Sequence, residues 1–214
     1  MKKTLFAATL AAAVSGALAA DVTLYGVADV GLRYTNTKTD GVSTDKLEMM
    51  SGHNAGSRFG LKGSEDLGNG WKAGFLLEGQ YLGDTGALKN AKFFHRQATV
   101  SISGPLGTVY AGRMGTLSSA AGPADLIFAA GDAFDGGDNL IYALSVESRR
   151  DNTLLYVTPA AGGLQGYLQY SFQGSGQENV QSSLNERYMG AGLRWKAGAF
   201  ESALAVEHVR YAAA

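Results

Sequence analysis

From Ser57 to Tyr81 the chain alternates with a period of two. Odd positions on both arms are apolar or small: Phe59, Leu61 and Gly63, then Trp71, Ala73, Phe75, Leu77, Gly79 and Tyr81. Even positions carry Arg58, Lys62, Lys72, Glu78 and Gln80. Successive side chains of a strand point to opposite faces, so this pattern predicts a hairpin with one apolar and one charged face, turned at 65–70. The alternation recurs and predicts nine strands. The first covers about 22–34, with Val22, Leu24, Gly26, Ala28, Val30 and Leu32 opposite Thr23, Asp29 and Arg33. The hairpin supplies the second and third, and the others fall near 93–103, 108–113, 149–159, 164–172, 188–196 and from 200 onward. The fourth is ambiguous in facing: Arg96, Ala98, Val100 and Ile102 share one side, His95, Gln97, Thr99 and Ser101 the other. Neither side is plainly suited to lipid, and a subunit contact there would accommodate both.

Short turns at 65–70, 104–107, 159–163 and 196–199 alternate with long polar stretches at about 35–55, 83–91, 114–148 and 173–186. Aromatic residues stand near strand ends (Tyr25, Tyr34, Trp71, Tyr81, Phe94, Tyr156, Tyr170, Trp195), where interfacial girdles would place them. Residues 1–20 open with Lys2 and Lys3, continue in an apolar, alanine-rich run and end Ala-Leu-Ala-Ala before Asp21, the anatomy of a secretory signal. No later window approaches the length of a membrane helix. An exported chain of alternating strands, short turns on one side and long loops on the other, is expected to form a membrane β-barrel, apolar outside and polar inside.

Composition narrows the chemistry. Without Lys2 and Lys3 the chain holds 16 basic and 19 acidic residues, a net charge of −3, which gives no electrostatic footprint for nucleic acid. Cysteine is absent, so there is no disulfide framework and no thiolate metal site. Thirty glycines against 3 prolines suit tight turns and intact ladders. His53, His95 and His208 lack partners at metal-ligand spacing, Asp132–Asp138 lacks the spacing of a calcium loop, and no nucleophile motif is present. No cofactor, metal or enzymatic activity is therefore expected. Gly68-Asn69-Gly70 lies between strands and reads as a turn rather than a phosphate loop.

Four ordered motifs carry a family resemblance: DVTLYG at 21–26, GSRFGLKGSEDLGNG at 56–70, GTVYAGR at 107–113 and RRDNTLLYVTP at 149–159. Together they resemble the trimeric general porins of Gram-negative bacteria, in particular the neisserial and betaproteobacterial branch. The resemblance implies a 16-stranded antiparallel transmembrane barrel, a homotrimer inserted by the barrel-assembly machinery into outer-membrane lipid, and passive diffusion of ions and small hydrophilic solutes. It implies that the third long loop, at about 114–148, folds into the barrel and faces an arginine wall. Carried over by position, that wall falls on Arg58, Arg96 and Arg149, with the neighbouring Arg150 an alternative to Arg149. The opposing acids fall among Asp125, Asp132, Asp135 and Asp138, although these residues could equally be turn formers. Lys62, Lys72 and Glu78 are expected elsewhere on the water-facing wall.

The chain departs from the family in length. About nine strands in 194 residues after the signal are too few for a wide aqueous channel, and the sequence stops at Arg-Tyr-Ala-Ala-Ala without the family's terminal aromatic strand. The expectation is an incomplete barrel of eight to nine strands with two bare edges, the N-terminal portion of a porin. A small closed barrel of eight strands with a structural role and a soluble secreted β-sandwich are the alternatives.

Overall fold

A computed structural model describes residues 21–119, 122–124, 126, 149–174 and 185–211. The expected signal at 1–20 lies outside the described residues. Eleven strands form among those that are described. In chain order they are β1 (Asp21–Val27), β2 (Val30–Thr39), β3 (Val42–Ser51), β4 (Arg58–Gly68), β5 (Trp71–Gln80), β6 (Gln97–Gly104), β7 (Gly107–Gly115), β8 (Arg149–Val157), β9 (Leu164–Ser171), β10 (Arg187–Ala197) and β11 (Phe200–Arg210).

Nine of them make one antiparallel sheet in the order β1-β4-β5-β6-β7-β8-β9-β10-β11. This is the all-β antiparallel wall expected from the alternation. Among the described residues β1 and β11 each have one neighbour, so the sheet is an incomplete barrel with two open edges. A closed eight-stranded barrel is not what forms. The sandwich alternative fails on burial: Val22, Leu24, Val100, Ile102, Val109, Leu168, Leu193 and Val206 are exposed on one face, while Thr99, Thr153, Gln169 and Ser171 are buried on the other. A water-soluble sandwich does the reverse.

Two expectations near the N-terminus are corrected. The first strand is not continuous over 22–34, and 35–55 is not a polar loop. The chain breaks after Val27, and β2 and β3 form a separate two-stranded hairpin. Asp29 explains the break. Its carboxylate accepts the backbone N–H groups of His53 (3.2 Å), Asn54 (2.8 Å) and Ala55 (2.7 Å), and its own N–H donates to Ser57 Oγ at 2.9 Å. Those donated hydrogen bonds hold its carboxyl below the usual carboxylate range. The hairpin tip is Asp40-Gly41, with φ of 50° and 82°, between the paired residues Thr39 and Val42. Two central residues at positive φ make the turn whose twist matches that of a strand pair. Asn69-Gly70, with φ of 53° and 78°, closes β4 onto β5 in the same way.

The fourth predicted strand is also corrected. It begins at Gln97 rather than near 93, and Ala98, Val100 and Ile102 turn outward. Arg96 precedes the regular strand and escapes its parity, turning inward to the side chain of Glu78.

The apolar core sits on the inner face and is built with the chain that leaves β7. Met114, Leu117, Ala124 and Leu126 pack with Leu155, Val157 and Tyr167. Gly190 and Gly192 of β10 make this possible. A Cβ on Gly192 would stand 2.3 Å from Leu126 Cδ1, and one on Gly190 would stand 3.0 Å from Leu117 Cδ1. Thus the first part of the loop after β7 lies against the inner face of the wall.

Candidate functional site

The even positions of β4 and β5 project to the same inner face, and their partners converge on Glu78. The Tyr25 hydroxyl, from β1, donates to Glu78 Oε2 at 2.7 Å. Arg96 Nε donates to Glu78 Oε1 at 2.5 Å, and its Nη1 to Gln80 Oε1 at 3.2 Å. Arg58 Nε lies 3.8 Å from Glu78 Oε2, while its Nη1 donates to the Gly56 carbonyl at 3.2 Å. One carboxylate is therefore shared by two guanidiniums and a phenol, leaving a surplus of positive charge on a partly exposed surface. Tyr25 lies inside the wall, not in an outer aromatic girdle as its place near a strand end suggested. Its ring covers Gly60, where an added Cβ would meet it at 2.5 Å, and Lys62 Nζ stands 5.4 Å above the ring. Lys62 and Lys72 are exposed on this face.

His95 links these groups to the next pair of arginines. Burial, with the positive charges of Arg149, Arg96 and Arg113, pushes its imidazole down to about 4. It is thus neutral at ordinary pH, and its Nδ1 is buried without a hydrogen-bond partner. Arg113 Nε donates to the His95 carbonyl at 2.6 Å, and Arg113 Nη1 donates to Asp151 at 2.5 Å. Lys92 pairs with the same carboxylate. Of the arginines named from sequence, Arg58 and Arg96 share Glu78, and Arg96 and Arg149 both bear on His95. The roles of Arg113, Lys92 and Asp151 were not legible: Lys92 lies in the connection between β5 and β6, where no parity applies, and Arg113 and Asp151 sit where it fails, since the β7–β8 register shifts between Gly112 and Met114 and Asn152 takes φ 53°.

Arg149 and Arg150 part company at the start of β8. Arg149 pairs in register with Gly115. Arg150 is 3% exposed, paired with Glu186 at 2.5 Å and set 5.8 Å over the Tyr188 ring on the inner face. The candidate acids Asp125, Asp132, Asp135 and Asp138 lie outside the described residues. Among the described residues no group of three or more His, Cys, Asp or Glu side chains is arranged to hold a metal ion.

Physically this surface is a row of fixed charges on a wall whose opposite face is apolar. Charges in such a row need water or mobile counter-ions beside them, because burying them dry carries a large desolvation penalty. Arginine suits the row because it stays ionised and tolerates arginine neighbours.

A family model described as Gram-negative porin matches residues 7–214. An outer membrane porin protein of Bordetella pertussis is 32% identical over 98% of this chain and 60% of its own length. Outer membrane porin protein 32 of Delftia acidovorans is 34% identical over 95% of this chain and 59% of its own. Among solved structures, an anion-selective porin from Comamonas acidovorans superposes with a TM-score of 0.64 at 30% identity, covering 88% of this chain and 57% of that one. The chain spans about 60% of the length of the curated relatives it matches. The two-faced wall, the inward loop and these matches agree: the chain belongs to the Gram-negative porin family.

Proposed function

We propose that this wall forms part of a water-filled channel in the outer membrane of a Gram-negative bacterium, through which ions and small hydrophilic solutes diffuse passively. The observation that carries the reading is the inverted burial. Apolar side chains are exposed on the outer face, as lipid requires, while arginine, lysine and glutamate line the face on which the loop lies. The porin relatives support the same reading, as does the signal-like segment at 1–20. In the family pattern such chains are delivered to the barrel-assembly machinery and work as homotrimers, and we extend both to this protein.

Within the channel, Arg58, Arg96 and Arg149 form the positive side of the constriction, and Asp125, Asp132 and Asp135 of the loop the opposing side. Opposed fixed charges across a narrow gap orient water and dipolar solutes and set ion preference. Two guanidiniums per carboxylate around Glu78 favour anions, in line with the anion selectivity of the Comamonas relative. The test is conductance in planar bilayers under a salt gradient. Stable channels with a reversal potential on the anion side are expected, and absence of any conductance would overturn the reading.

A further inference from the structure

Beside the arginine row, on the turn side of Glu78, the inner wall holds a recess of about 580 Å³. Two cross-strand rows build it. In the first, Thr23, Lys62, Leu76 and Thr99 lie side by side in register across β1, β4, β5 and β6. In the second, two residues nearer the short turns, stand Asp21, Ser64, Gly74, Ser101 and, on β7, Tyr110. Gly74 leaves a gap between Ser64 and Ser101, and a Cβ there would stand 2.9 Å from Ser101 Oγ. Gly122 and Pro123, of the chain that leaves β7, complete the lining. The hydroxyls of this recess are unspent. Gln97 Nε2 donates to Thr99 Oγ1 at 3.4 Å, whereas among the described residues the hydroxyls of Thr23, Ser64, Ser101 and Tyr110 bond no protein group. The two charges present, Asp21 and Lys62, are of opposite sign.

We propose that this recess is a subsite for neutral polyhydroxylated solutes of about hexose size, set beside the ion path on the side of the short turns. The inference rests on the channel reading for its part in transport, but not for its chemistry. A hydroxyl both donates and accepts, so a set of them suits a ligand made of hydroxyls better than it suits an ion. Neighbouring strands lie about 4.8 Å apart and alternate residues about 7 Å, a grid comparable with the spread of hydroxyls around a six-membered sugar ring. Leu76, between Lys62 and Thr99, offers an apolar surface to the C–H face of such a ring. The volume falls within the roughly 300–1,000 Å³ of small-molecule sites. Each hydrogen bond here replaces one to water, so binding is weak, as release from a channel requires.

The experiment titrates the detergent-purified protein with glucose while the backbone amide signals of Thr99 and Ser101 are followed by NMR. Saturable shifts are expected with glucose and none with its fully O-methylated derivative, which has no hydroxyl to donate. Ser101→Ala and Tyr110→Phe each remove one partner and are expected to weaken binding about fivefold, the usual worth of one hydrogen bond. Gly74→Val fills the gap and is expected to abolish saturation. Shifts that grow linearly with sugar, or saturable binding unchanged in all three variants, overturn the proposal. Planar bilayers separate it from the channel reading. A conducting protein without saturable shifts keeps the channel and overturns the subsite. A protein that binds glucose in this way but never conducts keeps the site and refutes the channel reading.

Discussion

The inner wall has two halves with the same strand parity and opposite outcomes. On β1 and β4–β6 the inward positions hold Tyr25, Arg58, Lys62, Lys72, Glu78 and Gln97, of which Lys62 and Lys72 are exposed and the others half-buried. On β8–β10 the inward positions include Leu155, Val157, Tyr167 and Tyr188, all buried, with Gly190 and Gly192 between them. What separates the halves is whether the loop lands there. Glycine and apolar residues receive it on one side, whereas long charged side chains on the other side would have to lose their water to be covered. A period-two pattern therefore specifies only which face a residue joins. Residue size and charge at the inward positions decide whether that face becomes core or stays wet.

The contrast can be broken most strongly in the covered half. Leu117 and Leu126 are 0% and 1% exposed. Leu117→Ala should cost about 3 kcal/mol of local stability, the usual range for a truncation in a packed site. The same truncation at the half-buried Leu76 of the open half should cost only about 1 kcal/mol. Denaturant dependence of amide exchange measures both, and equal costs would erase the distinction between the halves.

The next effect belongs to the open half. Arg58→Glu or Arg96→Glu replaces a positive charge beside Glu78 with a negative one. With an effective dielectric near 20, that change is worth roughly 1–2 kcal/mol per charge to a passing ion, or about tenfold in the anion-to-cation ratio, toward cations. Glu78→Gln acts in the opposite sense and more weakly, about two- to threefold toward anions, because Arg58 and Arg96 lose their shared counter-charge but keep their place. Reversal potentials in a salt gradient report all three, and no shift from either arginine would remove the open half from the ion path. Tyr188→Phe, on the covered side, should leave the same ratio unchanged.

The sequence revealed these two halves unequally. Alternation was sufficient to read nine strands of the main sheet and the facing of Arg58, Lys62, Lys72 and Glu78, because parity is a local property of extended backbone. It did not reveal the β2–β3 hairpin, although the signal was present: Asp40-Gly41 between two runs of threonine, valine and leucine is strong turn chemistry. The polarity of Lys38, Asp45, Lys46 and Glu48 masked it; Glu48 pairs with Arg33 across the hairpin and with Lys46 along its own strand, and Asp45 accepts from Tyr34 and Asn36 of β2. Arg96 misled in a different way. Its position was suggested by resemblance, while its facing could not be read by parity because the strand begins one residue later. The seat of the loop was not legible at all, since Leu117 meets Tyr188 across 71 residues and no local pattern encodes such a contact.

The smallest expected effect is silent at neutral pH and concerns His95, at the edge of the open half. Burial and three nearby arginines lower its pKa to about 4, against 6.5 for the unfolded chain. Above 6.5 neither state binds the proton and the residue is neutral toward stability. Between 6.5 and 4 the unfolded chain takes up a proton that the folded wall refuses, so stability falls as pH falls through that window. The effect is the reverse of a histidine that gains an acidic partner, because here the surrounding charges are guanidiniums. His95→Gln removes the titration while keeping a side chain able to bond at the Nδ1 position. Its stability should therefore decline less than that of the unaltered protein between pH 6.5 and 4, and the two should agree above pH 7. Parallel stability curves across the whole range would mean that His95 is hydrated and lies outside the arginine row. The boundary between the wet and covered halves would then run on the far side of Arg96.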